Sequence, residues 1–318
     1  MPNPEPLADD STSRPARSGR GRRWLTRLVL LAVLAVAVHT VVRHRHELAD
    51  GLRTLDAWAL AASLVPAVAA GFAGLLTWRV LMAELGAPLP LRAAARIFFL
   101  SQLGKYLPGP IWSVLGQMEL GRAYRVPRRV SVTVGVLVLA VSVTGGVSLA
   151  VLLLPFAGPD ALHRYWWAAL LLPACYAALH PPVLGRVLAF GLRLARREPL
   201  AALPSWPGLR RALVLQVVVW LLLGLQVWFL LVGLDAPPGR ALAAAIGGYA
   251  LAYSLGMLAV VVPAGAGVRE AVLVVCLAGV VSVPEALLVA LITRTVATVC
   301  DIGLALTQLR QAPVPSAD

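Results

Sequence analysis

The residues of this sequence that could do chemistry are few, and they stand in oily surroundings. Lys105 and Tyr106 lie in GKYLPGPIW, Arg269 and Glu270 in VPAGAGVRE, and Arg294 and Asp301 in ITRTVATVCDIGL. Glu119 follows the first stretch, three residues before Arg122. An ionisable group within an apolar run is expensive and faces a cavity or a partner. Lys105, Arg269 and Arg294 are therefore read as phosphate contacts. Glu119, Glu270 and Asp301 are read as the carboxylates that balance them. Arg294 and Asp301 are seven residues apart, two turns along one helical face.

Each residue also admits a structural reading. Arg294 and Asp301 suit an interhelical network, Glu270 a helix cap, and Glu119 with Arg122 a solvated pair. Lys105 is placed to snorkel to headgroups, and Tyr106 and Trp112 to anchor at an interface. Gln216 and Gln226 read as helix–helix hydrogen bonds, and the small-residue run LAAAIGGYALAYSLG as a close-packing surface. His44 and His46 have H-x-H spacing without further ligands, so no metal site is expected. No cofactor is expected either, because Walker, dinucleotide, HExxH and nucleophile-elbow motifs are missing from the sequence. Cys175, Cys276 and Cys300 sit in apolar runs without paired spacing and read as packing residues.

The elements that position these groups are membrane helices. Of the 318 residues 59% are hydrophobic and 14% charged, with a mean hydropathy of +0.80. Several apolar runs reach the roughly 20 residues that cross a bilayer core. The expected fold is an all-α polytopic bundle with spans near 25–42, 57–78, 130–154, 165–184, 212–234 and 285–309. A basic tail, 1–24, precedes the membrane domain, 25–309, and a short tail, 310–318, follows it; LTRLVLLAVLAVAVHTVV is read as a retained span, not a cleaved signal.

The net charge of +13 does not indicate nucleic acid, because the arginines fall between apolar segments. With both termini in the cytoplasm, 20 of the 28 basic residues lie inside and 5 outside, and 3 lie within the membrane. A multi-pass plasma-membrane protein is the expectation.

Two further apolar regions, 93–121 and 241–281, are broken by proline and glycine. Pro108 and Pro110 stop the first arm and Gly109 permits the turn; Pro263, Gly265 and Gly267 do the same in the second. Charge parity makes each region enter and leave on one side, as a re-entrant hairpin or a pair of crossings. Arms of about 11 residues are too short to cross, which favours a hairpin for the first. Each half then reads span, span, broken hairpin, span, with opposite orientation: an inverted repeat. Half-helices starting near Ile111 and Val268 would aim their N–H groups at a common cavity, as an anion site.

The GKYLPG–W hairpin followed by E-x-x-R-A-Y, the distal PAGAGVREA and the late T-R together resemble the lysylphosphatidylglycerol synthase transmembrane-region family, a flippase-like membrane domain. The resemblance runs from about residue 25 to 309. It implies handling of phospholipids or polyprenyl-phosphate-linked sugars. In the full-length synthases a cytosolic aminoacyltransferase domain follows; this sequence ends nine residues after Leu309, so lysyl transfer, and enzyme activity generally, is not expected.

Translocation of a phosphate-bearing lipid, with anionic headgroups as partners, is the leading functional expectation. The alternative is a non-transporting partner or regulatory subunit of a lipid-modifying or glycosyl-transferring enzyme, docking through 185–211. A membrane-embedded transferase would have only Glu119 or Asp301 as its base.

Overall fold

The computed structural model describes residues 55–106, 111–159, 161–194, 203–258 and 267–309. Both expected tails, the span 25–42 and the site candidates Pro108, Gly109, Pro263 and Gly265 lie outside the described residues. Within them every regular element is helical.

The first half contains α1 (Ala57–Glu84), α2 (Leu91–Gln102), α3 (Ile111–Gly121) and α4 (Arg128–Leu153). A linking region follows, made of α5 (Ala161–Tyr165), α6 (Leu171–Leu179) and α7 (Pro181–Leu194). The second half contains α8 (Trp206–Val232), α9 (Pro238–Leu258), α10 (Val268–Leu277) and α11 (Val283–Leu309). Proline sets several starts, since its missing N–H and fixed φ suit the first turn. Pro90 and Pro127 precede α2 and α4, Pro181 and Pro238 open α7 and α9, and Pro207 sits beside the Ser205 cap of α8. The Ser205 hydroxyl accepts from the Gly208 N–H at 3.1 Å.

Among the described residues, five helices are long and apolar enough to span a bilayer: α1, α4 with its 3-10 extension to Phe156, α8, α9 and α11. The expected span at 165–184 is not one rod. A 3-10 stretch, Trp166–Leu170, separates α5 from α6, and the helices on either side of His180 are bent by 74°. The cause is local: His180 is extended (φ −63°, ψ 125°) because Pro181 disfavours helix in the residue before it.

Both broken regions form antiparallel helix pairs. In the first, α2 tightens into a 3-10 turn, Leu103–Tyr106, and α3 runs back along it. A Cβ on Gly104 would lie 2.6 Å from the backbone of Trp112 and Ser113, and one on Gly116 would lie 3.2 Å from Ser101. In the second, a Cβ on Gly248 would lie 2.7 Å from Cys276, and one on Gly256 would lie 2.2 Å from the Arg269 stem. The arms of the second pair are unequal, because α9 runs 21 residues before the break and α10 only 10 after it.

Packing between the halves is reciprocal. The equivalent spans α1 and α8 pack on each other along the middle of the bundle. Helix α4 packs on α9 of the second half, and α11 on α2 of the first. Each of these two spans also packs on the return arm of its own pair, α4 on α3 and α11 on α10. This exchange of neighbours is what an internal two-fold relation requires.

The core divides similarly. One apolar cluster surrounds Trp220, Leu230 and Leu251, and another surrounds Trp78, Leu81 and Ile97. Cross-helix hydrogen bonds fix the register: Trp78 to Gln117 at 3.1 Å, Trp220 to the Ser142 carbonyl at 3.0 Å, and Gln226 to the Thr293 carbonyl at 3.2 Å.

Candidate functional site

Lys105 is carried by the 3-10 turn that ends the first arm. Its ammonium reaches Asp301 Oδ2 on α11 at 2.6 Å, and the Tyr106 hydroxyl donates to the same oxygen at 2.6 Å. Two consecutive side chains of the 3-10 turn thus meet on one carboxylate oxygen.

The second pair is built differently. Gly267 stands at the N-cap of α10 with φ +85°, a conformation that favours glycine. Its N–H donates to Glu270 Oε2 at 2.6 Å, so the third residue of the helix reaches back to cap it. The other carboxylate oxygen, Oε1, accepts from Arg294 on α11. Glu270 thus caps its own helix and ties the second helix pair to α11. Since Asp301 ties the first pair to the same helix, α11 holds both.

Arg269 differs from the other two cations. Its guanidinium lies 3.9 Å from the centre of the Tyr253 ring and 5.8 Å from that of Tyr249, and it donates to the Tyr249 hydroxyl at 3.0 Å. Among the described residues no carboxylate forms an ion pair with it. Stacking over aromatic faces offsets part of the desolvation of a buried cation without neutralising it.

These groups share a cavity of about 210 Å³. Its walls come from α1, α2 and its 3-10 turn, α4, α8, α9, α10 and α11, and Lys105, Tyr106, Arg269, Arg294 and Asp301 all line it. Glu270 stands behind Arg294, in a smaller space continuous with Tyr249 and Thr293. Three cations face two carboxylates here, which leaves one positive charge in surplus.

The structure therefore brings together Lys105, Tyr106, Gly267, Arg269, Glu270, Arg294 and Asp301. It separates Glu119, which forms a solvent-exposed pair with Arg122 at 3.4 Å and is no part of the cavity. Of the two expected open helix N-termini, that of α10 has its Gly267 N–H occupied by Glu270, and no described residue of α3 lines the cavity. The end of α2 takes that place, because its terminal turn carries Lys105 and Tyr106 inward.

Tyr249 and Tyr253 were not singled out from the sequence. Their i, i+4 spacing within a run of small residues was the available signal, since it sets two rings on one face of a helix. The same run does pack closely, through Gly248 and Gly256.

A comparison with curated proteins finds no match. The family model described as lysylphosphatidylglycerol synthase TM region matches residues 24–304. With an all-helical bundle of span-length helices around one charged cavity, the chain belongs to the lysylphosphatidylglycerol synthase transmembrane-region family.

Proposed function

We propose that this protein binds the phosphate of a membrane lipid in the cavity and carries the headgroup between leaflets of the plasma membrane. The observation that carries the reading is the unneutralised Arg269, set beside two satisfied ion pairs in a cavity with a surplus positive charge. A phosphate is the complement: it accepts from a planar guanidinium in bidentate fashion and from an ammonium as a point charge. In this reading both helix pairs are re-entrant hairpins, and their breaks lie at depth, where irregular backbone must face protein or a water-filled cavity. Both termini face the cytoplasm.

The carboxylates support binding over chemistry on the lipid. Asp301 holds Lys105 and Tyr106, and Glu270 holds Arg294 and the α10 cap, so each already has a positioning role. The protein acts here as a conduit.

The test is reconstitution into vesicles containing fluorophore-labelled phosphatidylglycerol, with an impermeant reductant quenching the outer leaflet. Wild type is expected to expose the inner-leaflet lipid within minutes, and Arg269→Ala and Arg294→Ala to slow exposure at least about tenfold, the loss of one charge-assisted contact. Rates equal to wild type in both variants would remove the cavity cations from the function.

A further inference from the structure

We propose that α7 lies in the plane of the membrane surface, and that Arg186 and Arg193 bind the headgroups of anionic lipids there, away from the cavity.

The break before Pro181 sets the direction of this helix. Helix α6 packs on the span α4, and the chain bends by 74° where α7 begins. Helix α7 therefore leaves the course of the spans almost at a right angle. Its 14 residues are also too few to cross, since a rise of about 1.5 Å each gives about 21 Å against a hydrocarbon core of about 30 Å.

Helix α7 carries three stripes. Leu184 and Leu188, four residues apart, are 3% and 6% exposed and join the apolar cluster that holds Leu85, Leu179 and Leu209. Val183, Val187 and Phe190 make a second stripe at i, i+4 and i+7. Val187 is 54% exposed and Phe190 70%, so most of this stripe faces away from the protein. Arg186 and Arg193, seven residues apart, make the third. Both are exposed, and among the described residues neither is paired with a carboxylate. At about 100° per residue, the exposed apolar stripe lies between the buried stripe and the arginines.

That order is the one an interface demands. With Leu184 and Leu188 against the bundle, Val187 and Phe190 face the acyl chains, and the arginines project outward at headgroup level. Water alone would leave Phe190 bare, and hydrocarbon alone would strand two guanidinium groups. A boundary between the two satisfies both. The bilayer already surrounds the spans, so this occupant is at hand. Two arginines then favour a lipid of net negative charge over a zwitterionic one, and a guanidinium takes its phosphate in bidentate fashion.

The experiment places a spin label on the full chain in a cysteine-free background, through Val183→Cys, Val187→Cys or Phe190→Cys. The vesicles contain phosphatidylglycerol and phosphatidylcholine, and depth is read from collisions with oxygen and with a nickel chelate. All three labels are expected at one depth, about 5–10 Å below the phosphates. A helix running along the membrane normal would instead separate positions 183 and 190 by about 10 Å in depth, and that result overturns the in-plane placement. Labels open to the nickel chelate at 187 and 190 overturn it too, because that face would then stand in water, free for a protein partner. A fluorophore at position 187 next reports the local lipid. Quenching by doxyl-labelled phosphatidylglycerol is expected to exceed that by doxyl-labelled phosphatidylcholine about fivefold, the attraction of one arginine at the surface, or more. Arg186→Gln combined with Arg193→Gln is expected to bring the two quenchers to equality with the label depths unchanged, and lysine at both positions to keep a preference. Equal quenching in wild type, or a preference that survives the double glutamine variant, overturns the lipid site. Arg269→Ala is expected to leave the preference intact; its loss in that variant would assign the lipid to the cavity and overturn the surface site.

Discussion

Arg269 stacks on tyrosine rings where a carboxylate would have neutralised it, and that arrangement keeps its charge available. Replacement by lysine keeps the charge but loses the planar fork and most of the ring contact. Arg269→Lys is accordingly expected to weaken phosphatidylglycerol binding about tenfold by calorimetry, with little change in melting temperature. The Lys105–Asp301 pair makes a different prediction. Each side chain is about a quarter or less exposed, so removing one partner strands the other. Lys105→Met and Asp301→Asn are each expected to destabilise the protein by about 1–3 kcal/mol, and the double variant by less than their sum. Additive losses in detergent unfolding experiments would show that the pair is not coupled. At this scale the ionisable groups were legible in the sequence because charges in apolar runs are rare. Their pairing was not: whether Arg294 meets Asp301 or Glu270 depends on how α10 lies on α11, which the spacing within one helix does not determine.

The two helix pairs are held shut at glycines. A Cβ on Gly104 would meet backbone atoms of Trp112 and Ser113 at 2.6 Å, and backbone cannot swing aside. Gly104→Ala is therefore expected to splay the first pair, destabilising the fold by about 1–3 kcal/mol and lowering the melting temperature. Gly256 faces only the flexible stem of Arg269, at 2.2 Å. Gly256→Ala is expected to displace that side chain, so lipid binding falls while the melting temperature holds nearly steady. Proline and glycine made both breaks readable, because their backbone chemistry is local. The bend at His180 escaped a reading based on hydropathy, which weighs Pro181 and Pro182 as two residues among twenty although they stop the helix.

For the whole molecule, the contacts at the helix ends sort into two groups. Arg240 joins the carbonyls of Ala157 and Gly279 at one end of the bundle, and Glu84 accepts from the Ser205 N–H in the other group. Which of these ends faces the cytoplasm is open to direct measurement. In a cysteine-free background, Gly279→Cys is expected to react with an impermeant maleimide applied to intact cells, and Arg92→Cys only after lysis. The reciprocal packing of α4 on α9 and of α11 on α2 places the cavity where the halves meet, with α11 holding both helix pairs. The most direct test of the central claim is an experimental structure in phosphatidylglycerol nanodiscs, with an antibody fragment bound to aid imaging. Phosphate density is expected within hydrogen-bonding reach of the Arg269 guanidinium and the Lys105 ammonium. A cavity filled by acyl chains, with Arg269 and Arg294 turned toward lipid tails, would contradict it.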